Sequence, residues 1–312
     1  STAIALWKVT GRASESIPVL LEISEDPDTN PPYKTDALVG LIQMGPSAVE
    51  AAPTLMRLLE KANPNRGRYE EHLPYLALAL GEITGDREQA VAAIRHAQKL
   101  DKRGNARLAC SMVLLKLGQD DPEAAAFLLD RYLAAWTEPD AEFAMKSLRW
   151  AGPAARGIVP RLAVLAPQSA GNVRLRSDSI DLLAAIGPGA RETLPTLITI
   201  LSDAGDLAKL RRGAAAALGA IAPESEEVRN ALRTALKEPD PLLRYEAAVA
   251  LGFSGKSEPE AIPVLIEAVQ RGYVGRRILP EAALGAMGKE AAEAVPALTC
   301  ALNSPDARRR FE

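Results

Sequence analysis

Residues 250–257 read ALGFSGKS: a small residue, four spacers, then Gly255-Lys256-Ser257. That spacing satisfies the loose pattern of a nucleotide-binding loop, in which amides at a helix N-terminus cradle phosphate. Within it, Gly252-Phe253-Ser254-Gly255 approaches a hydrolase nucleophile elbow but lacks the final glycine spacing. Other chemistry-bearing residues are few. His72 and His96 are the only histidines, so a His-rich metal site cannot be assembled. Cys110 and Cys300 are the only cysteines and form no Cys-x-x-Cys pair. Neither a disulfide framework nor a thiolate zinc site is expected, and both cysteines read as buried free thiols. The residues call for no catalytic centre, cofactor or metal.

The elements that would position such groups follow from composition. Of 312 residues, 47% are apolar but only 4% aromatic, and Ala and Leu dominate the apolar set. Such a chain favours close-packed helices over sheet, where β-branched and aromatic residues collect. A net charge of −3 implies neither an acidic tail nor a basic nucleic-acid surface. No apolar run approaches the roughly 18 residues needed to span a bilayer, and Ser1 begins no signal-peptide pattern, so membrane insertion is not expected. The compartment stays open, with the cytoplasm favoured.

Internal repetition organises the chain. In LLAAIGPGARETLPTL, Leu182 to Leu197, Gly187 precedes Pro195 by eight residues. The same interval separates Gly45 from Pro53, Gly152 from Pro160, Gly255 from Pro263, Gly288 from Pro296 and Thr10 from Pro18. Degenerate members place the full register at 10, 45, 84, 118, 152, 187, 222, 255 and 288. The spacings are 35, 39, 34, 34, 35, 35, 33 and 33, so residues 1–312 read as a single repeat array.

Each repeat reads as two helices. After the Gly-Pro turn comes a segment such as EAIPVLIEAV (Glu260 to Val269), whose proline is expected to remove one backbone bond and bend the helix. The second helix, as in PLLRYEAAVALGFSG, carries Arg244, Ala247, Ala248 and Leu251 at three-and-four spacing. Asp240-Pro241 supplies its N-cap and a first-turn proline. Its Ala and Gly residues let neighbouring helices approach to about 8–10 Å. A glutamate ladder (Glu15, Glu50, Glu123, Glu192, Glu227, Glu260, Glu293) marks first-helix starts, where carboxylates favour the positive dipole end. A basic ladder (Lys34, Arg107, Arg176, Arg211, Arg244, Arg277) lies eleven residues before the register and suits bridging of repeats through carboxylates and carbonyls.

The phrases DPLLRYEAAVALG, RRGAAAALGAIAPES and LGAMGKEAAEAVPAL resemble the short HEAT repeats of phycobilisome-lyase-like proteins, and the resemblance covers essentially the whole chain. It implies an all-α fold, a right-handed α-solenoid of about eight helix-pair repeats with incomplete repeats at both ends. It places the proline-containing helix outside and the Ala-Leu-Gly helix on the concave side. Ankyrin and tetratricopeptide signatures are missing. In this alignment ALGFSG matches ALGAIAP from Ala217 and ALGEITG from Ala79, each a helix end plus a turn. A nucleotide loop needs a preceding strand, so nucleotide binding is not expected. Both chain ends fall mid-unit, which reads as a fragment of a longer protein.

Within the HEAT-like class, a deoxyhypusine-hydroxylase-like iron enzyme would need several His-Glu pairs, and only Glu71-His72 stand adjacent, in reversed order. A bilin lyase is the enzymatic alternative that the resemblance implies, and no residue singles out its chemistry. A nucleic-acid-binding role, as in HEAT-like DNA glycosylases, would call for a basic concave face, which the charge balance opposes. The leading reading is a non-catalytic scaffold that binds another protein or peptide on its concave face or loop rim. Positions nine, six and two before the register share a face of the second helix and supply the candidate contacts Tyr75, Met112, Phe143, Lys146, Trp150 and Phe253. The variable turns EDPDTNPPY, NPNRGRY, APQSAGN and QRGYVGRR mark the rim.

Overall fold

The computed structural model describes Trp7, Thr10, residues 12–26, Thr29, and residues 31–61, 73–100, 107–134, 139–167, 172–273 and 279–302. Among these residues the regular structure is helical throughout, with no strand. The chain divides into two compact units, residues 1–148 and 149–312. In each, helices alternate between two layers, A for the first helix of a repeat and B for the second.

In the first unit the A helices are α1 (Ala13–Glu25), α3 (Ala52–Lys61), α5 (Arg87–Leu100) and α7 (Pro122–Ala134). Its B helices are α2 (Pro31–Met44), α4 (Leu73–Thr84), α6 (Arg107–Lys116) and α8 (Pro139–Ala151), whose last turn runs past the division. Among the B helices α2 stacks on α4 and α4 on α6, and these three also pack on A helices. Leu20, Leu38, Leu41, Leu55 and Leu80 anchor one buried cluster; Leu78, Ile94, Val113 and Leu114 anchor a second.

The second unit repeats the plan. Its A helices are α9 (Val159–Leu165), α11 (Leu194–Ser202), α13 (Glu226–Ala235), α15 (Ala261–Gln270) and α17 (Val295–Leu302). Its B helices are α10 (Val173–Ile186), α12 (Ala208–Ile221), α14 (Pro241–Gly252) and α16 (Pro280–Met287). The B layer runs α10, α12, α14, α16 by direct contact, and Leu183, Leu218, Leu251 and Leu284 are buried along it. Small residues set the spacing: a Cβ added at Gly219 would fall 2.5 Å from the Cβ of Ala250, and one at Gly252 would fall 2.9 Å from that of Ala283. Glycine's helix penalty is accepted here because the neighbouring backbone leaves no room for a methyl group.

The prolines of the first helices act differently from the expected bend. Residues Gly45–Ala51, Gly152–Ile158, Gly187–Thr193 and Gly288–Ala294 form 3-10 turns, and the α-helix proper starts just after each. Pro160 and Pro195 therefore occupy the first turn of α9 and α11, where no intrahelical amide bond is lost. Pro18 alone follows the expectation closely, lying well inside α1. The glutamate ladder divides accordingly. Glu15, Glu123 and Glu227 sit in first α-turns, whereas Glu50, Glu192 and Glu293 sit in the 3-10 turns.

The register itself is a backbone feature. Gly45, Gly118, Gly152, Gly187, Gly255 and Gly288 all have φ between 52° and 76°, the region that lets a helix end and the chain reverse at no steric cost. In the third repeat the positive φ belongs to Gly85, not to Thr84. That repeat boundary is one residue later than the sequence pattern places it.

Candidate functional site

The phosphate-loop pattern is taken apart by the fold. Ala250, Leu251 and Gly252 finish α14, Phe253 to Lys256 form a turn, and the next helix begins only at Ala261. The Ser254 side chain is turned into this bend, its Oγ accepting from the Lys256 amide at 3.2 Å, and Lys256 is exposed. Lys256 and Ser257 thus precede the helix instead of opening it, and a helix stands where a strand is required.

The basic ladder is a set of inter-repeat clamps in the second unit. Arg176 Nε donates to the Ala166 carbonyl at 3.0 Å, and its two terminal nitrogens bond the carboxylate of Asp206 at 2.9 and 2.5 Å. Arg211 repeats the arrangement with the Leu201 carbonyl at 2.9 Å and Glu238 at 2.9–3.3 Å. Arg244 donates to the carbonyls of Glu238 and Pro239, with Glu267 at 3.8 Å. Each guanidinium binds the end of its own repeat's A helix or the turn after it, and faces a carboxylate of the following repeat. Burial would raise the Asp206 carboxyl, but hydrogen bonds from Arg176 and the Leu207 amide, with the charges of Arg176 and Arg211, hold it below its usual range. In the first unit Lys34 is buried at the equivalent position, and Arg107 lies over the Phe127 ring at 4.3 Å. Arg277 lies outside the described residues.

A second charged cluster escaped the sequence reading. Glu258, only 2% exposed, accepts from Arg229 at 3.0 Å and from Arg233 at 2.8 and 2.9 Å, while Glu226 bonds both arginines. It ties α13 to the turn before α15. The available signal was Arg229 and Arg233 one helical turn apart, but their partner lies in the next repeat's turn.

The candidate contact residues fall into different environments. In the first unit Tyr75 is half-buried against both apolar clusters, and Phe143 packs against the second of them. Met112 is 5% exposed inside that second cluster, beside Cys110 and Val113. Offered from the sequence as a partner contact, it lies among apolar residues of both layers, including Leu78 and Ile94. Lys146 is exposed and pairs with Glu142, one turn back on α8, at 2.7 Å. Lys116, on the same side of α6, is half-buried; burial lowers the pKa of its ammonium group while the charge of Glu82 opposes the shift. His96 is exposed, whereas His72 and the rim segment NPNRGRY lie outside the described residues.

In the second unit Trp150 is 51% exposed at the end of α8. Its neighbour Arg149 reaches across to α10, 3.4 Å from Asp181 and 3.9 Å from Asp178, and Arg174 approaches Asp178 at 3.6 Å. Asp178 and Asp181 hold positions nine and six before the register at 187, on the face read from sequence, whereas Arg149 was not singled out, although it stands about one repeat from Asp181. Phe253 is half-buried at the end of α14. Farther back on α14 the expected open face is closed: Glu246 and Val249 are buried, and Glu246 accepts from the Tyr273 hydroxyl at 2.7 Å. Tyr273 belongs to the rim segment QRGYVGRR and also packs against Tyr245, the rings tilted by 54° with centroids 5.0 Å apart, so this rim residue covers part of the B layer.

Cys110 is buried as expected, but Cys300 is exposed on α17, and neither is in a disulfide. Among the described residues no group of three or more His, Cys, Asp or Glu is placed to hold a metal ion. Among them, too, no helix is long and apolar enough to cross a membrane.

Paired helices in two stacked layers, joined at a near-constant period, define an all-α solenoid. Residues 194–279, from the start of α11 to the residue before α16, match the family model for HEAT repeats. Repeats of this kind generally act as protein-interaction scaffolds. Two engineered proteins of known crystal structure are similar to the chain. One is 17% identical, with 99% of this chain and 95% of that protein covered and a TM-score of 0.35. The other is 18% identical, with 76% and 96% covered and a TM-score of 0.33. No curated protein matches the chain.

Proposed function

We propose that the chain is a non-catalytic scaffold that takes a protein or peptide on its B layer, with Trp150 as the main anchor in the second unit. The observation that carries this reading is Trp150: a large indole half in solvent, next in sequence to Arg149, which pairs with two aspartates of α10. A tryptophan of this kind supplies large apolar area at little entropic cost, and Arg149 with Asp178 and Asp181 supplies polar contacts around it. In the first unit a separate and weaker face is formed by Tyr75, Phe143 and Lys146, whose apolar parts are already half-occupied by core packing. We assign the repeats to the phycobilisome-lyase-like subtype on their Ala-Leu-Gly helix ends and Gly-Pro turns. The scaffold reading is preferred over a bilin lyase because HEAT repeats generally act as protein-interaction scaffolds and no residue of the sequence singles out lyase chemistry.

The test is affinity capture of the partner with the wild-type chain, followed by titration of that partner against Trp150→Ala. Affinity is expected to fall by about 2 kcal/mol or more, while the melting curve shifts by no more than about 0.5 kcal/mol equivalent. Unchanged affinity, or a collapse in melting temperature, overturns the assignment of Trp150. A tetrapyrrole absorption band on the purified chain would instead establish the lyase alternative.

A further inference from the structure

We draw no further inference here: the strongest candidate, the small-residue face of α16 formed by Ala282, Gly285 and Ala286, carries nothing because nothing in the structure shows what covers it.

Discussion

The two units solve the same stacking problem with different chemistry. Between residues 172 and 273, successive B helices carry Arg176, Arg211 and Arg244, each bonded to backbone carbonyls and facing a carboxylate of the next repeat. At the matching positions of the first unit stand Lys34, buried, and Arg107, laid over the Phe127 ring. An arginine fork can satisfy a carbonyl and a carboxylate together, because its planar guanidinium fixes several donors in one geometry. The difference teaches that one packing scheme can carry different polar groups at its seams.

The sharpest way to break this comparison is Arg176→Ala. The side chains of Arg176 and Asp206 are only 11% and 9% exposed, so removal strands a buried carboxylate. The expected loss is about 3–5 kcal/mol in urea unfolding. Arg107→Ala in the first unit should cost about 1 kcal/mol or less, the scale of an exposed cation–π contact. Equal losses at the two positions would show that the seams are equivalent after all.

Acid sharpens the same contrast. The carboxyl of Asp206 is depressed in the folded chain, so its contribution is complete above the unfolded value of about 3.9 and disappears as pH falls through the lower folded value. Denaturation at pH 7 and at pH 3 should show a smaller acid penalty for Asp206→Asn than for wild type. An identical pH dependence in the two would remove Asp206 from the account.

Met112→Ala comes next in size and bears on the first unit alone. Met112 lies within the buried cluster, so truncation should cost about 2–5 kcal/mol through lost burial and a residual cavity. A thermal shift near zero would return Met112 to the surface.

The smallest effects concern one repeat position with opposite signs. Gly219→Ala drives a methyl group into Ala250 and should destabilise by about 1–3 kcal/mol. Gly285→Ala meets nothing within 4 Å among the described residues and should stabilise by about 0.5–1 kcal/mol, as alanine replaces glycine in a helix. Matching signs in chemical denaturation would mean that close approach of B helices does not decide the glycine.

What could be read from the sequence was whatever recurs. The Gly-Pro period gave the helix pairs, and the ladder at Arg176, Arg211 and Arg244 announced its bridging role because residue type and spacing repeat together. Asp240 and Pro241 were legible as a helix start, and the Asp240 side chain indeed accepts from the Leu242 amide. Features that depend on three-dimensional neighbours were not legible. Three-and-four spacing puts Met112 and Trp150 on one side of their helices, yet it cannot say that the first is buried in an apolar cluster and the second is half exposed. Tyr273 covering Glu246 depends on the path of a turn, which has no periodicity. The proline position was visible, but the 3-10 turn before it was not, since both conformations accommodate the same spacing. Thr84 held the register by analogy while Gly85 made the turn, a slip of one residue that only a backbone angle reveals.

The doubly bonded arginines have a consequence for how such a chain can change length. Each one faces backward to a carbonyl and forward to an acid, so the junction it makes is interchangeable with the next. Excision of residues 187–221 would join Ile186 to Ala222 and bring Arg176 opposite Glu238, the residue that now serves Arg211. The acid would be one methylene longer, but the charge and the carbonyl behind the guanidinium would be retained. Unequal recombination between neighbouring copies would therefore deliver a shortened or lengthened array with its seams already paired.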